Sequence, residues 1–560
     1  MRTARYLGKL LVTIAVTVAL VSPTAAFGWI GDEDQNDLSP DEIASAIANG
    51  EVSGEDDQNQ DQPQTLSARS SYAVTTVSGE NRYTTSIAEM QSSFSSATTV
   101  IIAGGERYAD SIAGSSLAGS LNAPLLLTTP NSLLSETSNA IKRLGAKNVI
   151  VLGGTQTVSE TVMNQLKGIV GSSNVTRLAG TDRYGTQMAI YQYGVDHKLW
   201  SGTHAIVASG ETFADALSVS PLAYQLKAPI FFADASKTLP AAQKDALKLA
   251  GASTVLVIGG TASVSAGTGD TIKTFAKAVR LSGATRYDTS RDINDYAVAN
   301  HDFSWDRVAF ASGQNPWDSL GGGSMQGKNK RLLSLLDNQG PKTTPDVKVA
   351  GKPAHVQFIG GRNTYSNAFK AQVAYRLGYK LTDVQGMKIY LDAGHGQDSN
   401  GTGAGLDPGA FGNGKYEYQL TGDLADRVAS VLRNTYGLEV YVNKSGWYKL
   451  RQTQASLLDC GVLVSIHFNA AGGHGTESYI HTYNAAYGSK TLQHAITPGL
   501  ASTVGRGNRG EGRMQLAVCS GKLPATLLEI CFIDNKGDMD AYWARRDAIA
   551  QSIANGIANS

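Results

Sequence analysis

Residues 98–129 read TTVIIAGGERYADSIAGSSLAGSLNAPLLLTT. Two short, continuous apolar runs, VIIA at 100–103 and LLL at 125–127, flank the stretch YADSIAGSSLAGSL, which is long enough for a helix. A strand covered on both faces needs no polar alternation, so run, helix and run together predict buried parallel strands joined by a crossover helix. The decisive reading is therefore α/β.

The same stretch recurs twice downstream. The strings SGENRY, AGTDRY and SGATRY place Arg82, Arg183 and Arg286 at intervals of 101 and 103 residues. AGGERYADS, ASGETFADA and ASGQNPWDS place Asp110, Asp215 and Asp318 at intervals of 105 and 103, and each unit closes on VIVLGGT, VLVIGGT or VQFIGGR. A period near 100 exceeds that of solenoid repeats, roughly 20 to 50 residues. The expectation is three small α/β domains, at 73–170, 171–275 and 276–380, arranged as a pseudo-threefold ring.

The chain opens with Arg2, Arg5 and Lys9, an apolar run from Leu10 to Val21 and the small residues SPTAA. This predicts a secretory signal peptide at 1–26. Its run is shorter than the roughly 20 residues a bilayer crossing needs, so no membrane span is expected in the mature protein. Residues 27–72 form an acidic, flexible segment, with eleven Asp or Glu between Gly28 and Ser70 against the single Arg69. A short helix is predicted there from Ser39, Pro40 and Glu42 to Asn49. With 48 acidic and 48 basic residues, nothing in the charge suggests a nucleic-acid partner. Three cysteines, Cys460, Cys519 and Cys531, cannot form a complete disulfide framework. Cys531 is expected either as a small buried hydrophobe or, two residues beyond Glu529 on one strand, on the face that Glu529 uses.

A fourth α/β unit, at 384–560, follows a linker around KLTDVQG. Four strings within it, LDAGHG at His395, KYEYQL at Glu417, VSIHFNA at His467 and TLLEICFI at Glu529, bring together two imidazoles and carboxylates. That donor set suits Zn²⁺ with a coordination position left open, which points to a zinc hydrolase. His395, His467 and Glu529 fall late in strands, where open parallel sheets gather their ligands.

On these four motifs the C-terminal unit resembles the zinc-dependent N-acetylmuramoyl-L-alanine amidases of bacterial autolysins and phage endolysins. The resemblance implies that His395, Glu417 and His467 hold zinc and that Glu529 is the catalytic acid/base for the attacking water. Peptidoglycan is the implied substrate, cut at the amide between muramic acid and L-alanine. Gln397 stands where the family has glycine, and an insertion, roughly DSNGTGAG, lengthens the loop beside His395. Asn469 and Glu477 are expected to shape the site.

The three upstream units resemble the type 2 cell wall binding repeats of Gram-positive surface proteins. This implies attachment to an anionic wall polymer, and hence a secreted protein resident at the wall. Arg82, Arg183 and Arg286 either pair with polymer anions or bridge to the aspartates of their own or a neighbouring unit. The third unit departs from the others at Trp317 and in the insertion GPKTTPDVKVAGKP. Two alternatives stand beside the amidase: a zinc peptidase acting on stem peptides, and a non-catalytic surface-layer protein.

Overall fold

The first strand, β1 (Val74–Val77), does not join the sheet of the repeat it opens. In the computed structural model, residues 72–338, 346–401 and 405–560 are described. The expected signal peptide, the short helix at Ser39–Asn49 and all but the last residue of the acidic segment lie outside them. The first sheet holds β2 (Thr99–Gly104), β3 (Leu125–Thr128), β4 (Asn148–Leu152) and β5 (Val175–Leu178), all parallel, in the order β3-β2-β4-β5. The second repeats this with β6 (His204–Ser209), β7 (Ile230–Ala233), β8 (Thr254–Ile258) and β9 (Lys277–Leu281), in the order β7-β6-β8-β9. The third holds β10 (Arg307–Ser312), β11 (Leu332–Leu336) and β12 (His355–Ile359), and β1 is its fourth strand.

Each sheet is thus closed by the first strand of the next repeat, and the third is closed by the first strand of the first. Sequence repeat and hydrogen-bonded sheet are offset by one strand, which ties the three units into a ring. On its axis the helices Tyr108–Leu121, Ala214–Leu226 and Gly322–Lys328 pack against one another. At Gly323 all three meet: a Cβ there would lie 2.3 Å from Ser220 Oγ and 3.0 Å from Ser115 Oγ.

The recurring motifs now have physical causes. Each repeated aspartate tucks beneath the first glycine of its own closing string. Gly153, Gly259 and Gly360 have φ of +101°, +94° and +120°, and an added Cβ would lie 2.6, 2.3 and 2.7 Å from Oδ2 of Asp110, Asp215 and Asp318. Any side chain would be excluded by both conformation and space. The repeated arginines sit at the seams. Arg183 lies over the Tyr108 ring, Arg286 over Phe213 and Arg82 over Trp317, at 5.7, 5.7 and 4.5 Å from the centroids. Their Nη1 atoms donate to the carbonyls of Gly210, Gly313 and Gly105 respectively. Of the two roles open to these arginines, the geometry favours holding the ring together. Their anchors are an aromatic face and a carbonyl, with Glu106 also 3.7 Å from Arg82 Nη1, while two of the aspartates bind hydroxyls, Ser263 for Asp215 and Thr364 for Asp318.

The third seam carries an exception. Glu89 takes the position seven residues after the seam arginine that Ile190 and Ile293 take in the other repeats. It is fully buried, and neither carboxylate oxygen has a hydrogen-bond partner among the described residues. Gly321 and Gly322 make room for it, with Cβ positions 3.1 and 2.5 Å from its oxygens. Burial first, then the charge of Asp318, pushes its carboxyl well above the ordinary range. The folded chain therefore keeps a proton that the unfolded chain loses near pH ~4.3, so the contribution of Glu89 to stability is most favourable at low pH and falls as pH rises toward the folded-state value. The expected slope is about 1.4 kcal/mol per pH unit. Glu89→Gln is predicted to match the wild type near pH 4 and to unfold at a higher temperature above pH 7. Parallel melting curves for the two proteins across that range would refute this.

The C-terminal sheet begins with β13 (Lys388–Gln397) and β14 (Leu406–Asp407), followed by a short hairpin, β15 (Phe411–Gly412) and β16 (Lys415–Tyr416). β17 (Glu439–Ser445), β18 (Val462–Asn469), β19 (Thr476–His481), β20 (Asn508–Met514) and β21 (Ala525–Phe532) complete it. The order is β14-β13-β18-β21-β19-β20, with β17 on the other side of β13. Helix Glu417–Tyr436 buries Leu420, Leu424, Val428 and Leu432 on one face, the spacing expected of an amphipathic helix.

The stretch expected as a linker is packed. Leu381 and Val384 are buried, Val384 bridges to Val74, and the Leu381 amide donates to the carbonyl of Ser560. Helix Asn367–Leu377 of the third repeat lies against the C-terminal unit, with Tyr375 Oη 2.9 Å from Ser560 Oγ. One continuous apolar core runs from Val74 to Ala558.

Candidate metal centre

β13, β18 and β21 run parallel in adjacent positions, so their carboxyl ends lie side by side. His467 on β18 is directly opposite Glu529 on β21. His395 near the end of β13 has φ +65°, a left-handed conformation that costs a non-glycine residue roughly 1–3 kcal/mol. Its ring lies 5.0 Å from that of His467. The preceding Gly394 leaves the second imidazole its space, since a Cβ there would sit 2.2 Å from His467 Cε1.

Glu417, the first residue of its helix, enters between the two rings. Its Oε2 is 3.1 Å from His395 Nε2 and its Oε1 is 3.1 Å from His467 Nδ1. The amides of Ala410 and Phe468 donate to the same two oxygens at 3.0 and 2.9 Å. Ligand atoms of His395, Glu417 and His467 all fall within 4.8 Å of one another. Burial disfavours charge at His395, yet hydrogen bonds to Asp407 and Glu417 outweigh it and its imidazole is pushed up to about 10. Burial likewise opposes charge at Glu417, and the two imidazoles overcome it, holding the carboxyl well below the usual range. The pocket attracts positive charge strongly, as a cation site does. Two imidazoles and a buried carboxylate at this spacing fit a zinc ion.

Glu529 is partly buried, and its Oε2 is out of solvent with no hydrogen-bond partner among the described residues. Burial first, then the charges of Glu417 and Glu477, raise its carboxyl well above the ordinary range, while His395 acts the other way. An acid so placed retains its proton more readily than an exposed one.

The structure adds residues that sequence reasoning left out. Asp407 Oδ2 lies 3.0 Å from His395 Nδ1, the orienting contact a metal-binding imidazole uses. Asp407 reaches it because β14 folds back to pair antiparallel with β13, Gly396 facing Asp407 and Gln397 facing Leu406. The string LDPGAFG carried that signal next to the insertion. On β13, three residues before His395, Asp392 accepts from the buried Arg451 at Oδ1, 2.7 Å, and from Ser465 at Oδ2, 2.6 Å. Asn469 donates to Glu477 at 2.5 Å.

Cys531 does not share the face of Glu529. Between β18 and β21 the register shifts, His467 facing Glu529 but Asn469 facing Phe532, and the bulge breaks the two-residue alternation. The thiol turns into the core, fully buried, and all three cysteines are free.

A family profile described as N-acetylmuramoyl-L-alanine amidase matches residues 389–559. One described as cell wall binding domain 2 matches residues 76–163, 177–268 and 280–370. The chain is 31% identical over 453 residues to the N-acetylmuramoyl-L-alanine amidase LytC of Bacillus subtilis, covering 79% of this chain and 86% of that protein. It is 32% identical over 179 residues to the sporulation-specific N-acetylmuramoyl-L-alanine amidase of the same organism, 31% of this chain and 66% of that one. Among solved structures, Cwp6 from Clostridium difficile aligns over 87% of this chain and 79% of its own, at 25% identity and a TM-score of 0.48.

Proposed function

The chain belongs to the N-acetylmuramoyl-L-alanine amidases that carry cell wall binding repeats, and from that premise we propose a zinc-dependent enzyme of the Gram-positive wall that cuts between muramic acid and L-alanine. The observation that carries the reading is the convergence of His395, Glu417 and His467 within 4.8 Å, with Glu529 on the neighbouring strand. Those three residues would hold the zinc, which when bound supplies a Lewis acid that polarises the amide carbonyl and acidifies water. Glu529 takes a proton from the attacking water and delivers it to the departing amide nitrogen, a relay typically worth 10² to 10⁴ in rate. Asp407 fixes the tautomer of His395 by accepting from its Nδ1. The buried Asp392–Arg451 pair, with Ser465 of β18 donating to the same carboxylate, braces the strand that carries His395.

The ring docks the enzyme on an anionic wall polymer, which raises the local enzyme concentration at an insoluble substrate. Export through the N-terminal signal peptide brings it there. Among the described residues no helix is long and apolar enough to cross a membrane.

Dialysis against a chelator is expected to remove one equivalent of zinc and abolish wall clearing, and added Zn²⁺ to restore both. Mass spectrometry of the digested wall tests the bond: an amidase exposes new alanine amino termini on intact stem peptides, whereas a peptidase leaves alanine on the sugar. Clearing that persists without metal would refute the zinc assignment.

A further inference from the structure

The functional groups of the catalytic sheet form a row that continues beyond the metal site. Crossing from β13 to β20, the same sheet end presents His395, His467, Glu529, Glu477 and Arg509. Glu477 faces Glu529 directly across β19 and β21. Arg509 is the unpaired residue of a bulge, since Thr476 faces Asn508 and Glu477 faces Gly510. A bulge re-aims the side chain it carries. Here the guanidinium turns back toward the site, with Nε 3.1 Å from Glu477 Oε1 and Cζ 5.0 Å above the Phe532 ring. Its side chain stays 44% exposed.

We infer that Arg509 reads a carboxylate on the stem peptide, on the residue that follows the alanine released by cleavage. This rests on the amidase reading and names what the site requires of the peptide beyond the scissile bond. Neighbouring strands lie about 4.8 Å apart, so the backbone of Arg509 is roughly 10 Å from that of Glu529, two strands away. An extended peptide advances about 3.3 Å per residue, and the folded-back guanidinium shortens the span. A peptide whose scissile amide lies between His467 and Glu529 and which runs along this row brings its second or third residue to Arg509. Contact with Glu477 engages Nε, leaving the terminal nitrogens to fork onto a carboxylate. Glu477 and Phe532 hold the guanidinium in place, so little side-chain freedom is lost when a ligand binds.

The test uses the full chain and two synthetic muramoyl-L-alanyl peptides that differ only in a free carboxylate or a carboxamide on the residue after alanine. The wild type is expected to favour the carboxylate by about tenfold to a hundredfold in kcat/KM, the range of a charge-assisted hydrogen bond, with most of the difference in KM. Arg509→Gln should bring that ratio close to one with zinc content unchanged, and Arg509→Lys should recover part of it. An unchanged ratio in Arg509→Gln, with both substrates slowed alike, would show that Arg509 merely props Glu477 and would overturn the inference. So would a wild type indifferent to the carboxylate. If the wild type frees no alanine amino terminus from either peptide, the amidase reading itself falls, and the inference with it.

Discussion

Glu529→Gln is expected to retain one equivalent of zinc and to hydrolyse peptidoglycan roughly 10² to 10⁴ times more slowly than the wild type. The substitution keeps the shape of the side chain and removes its capacity to accept and return a proton. Zinc should stay because none of the three close-set donors, His395, Glu417 and His467, is altered. The sheet should stay as well, since Glu529 Oε2 has no hydrogen-bond partner to lose among the described residues. The Glu417 contacts that seat the helix are to His395, His467, Ala410 and Phe468. Metal analysis, melting temperature and release of alanine amino termini, measured on one preparation, separate a lost proton relay from a lost fold. Near wild-type turnover in Glu529→Gln would remove the residue from the mechanism, whereas loss of zinc would make it part of the metal shell.

Val74→Asp should cost at least about 3 kcal/mol of stability, the scale of an unpaired charge placed in a core, and should open the ring. Val74 is 1% exposed and pairs with Val356. Its carbonyl accepts from the Gln385 amide at 2.9 Å, and it bridges to Val384. One residue thus ties the start of the first repeat to the sheet of the third and to the stretch that leads into the catalytic unit. A charge there breaks a closure made across 282 residues, and β12 loses one of its two partner strands, keeping only β10. Hydrogen exchange should show early loss of protection in β10–β12, with β6–β8 of the second repeat affected later. Binding to whole walls should weaken along with it. A variant that melts with the wild type and keeps uniform protection would mean that the ring does not depend on its first strand.

Much of this was legible from local pattern. Continuous apolar runs such as VIIA and LLL give buried parallel strands because strand position and side-chain chemistry are both local properties. The coincident registers of Arg, Asp and Gly-Gly announced three copies of one unit. In the catalytic unit, His395, Glu417 and His467 were recognised as a set and do converge within 4.8 Å. Asp407 was not recognised, because a carboxylate beside LDPGAFG looks like any turn residue until β14 pairs with β13. Of the two places open to Cys531, the structure takes the small buried hydrophobe; the face of Glu529 required the two-residue alternation of a regular strand, and one bulge cancels that rule.

By itself, the sequence determined the α/β class, the threefold repetition and the residue types of the candidate metal site, each readable from short strings of residues without knowing which strings meet in space. The tertiary structure alone decided which strand closes which sheet, what each seam arginine grips, and how a bulge turns Arg509 toward Glu477. Those outcomes depend on partners brought together from distant parts of the chain. Packing chooses such partners, because a strand edge or a guanidinium has many chemically acceptable mates, and only the folded arrangement puts one of them within reach.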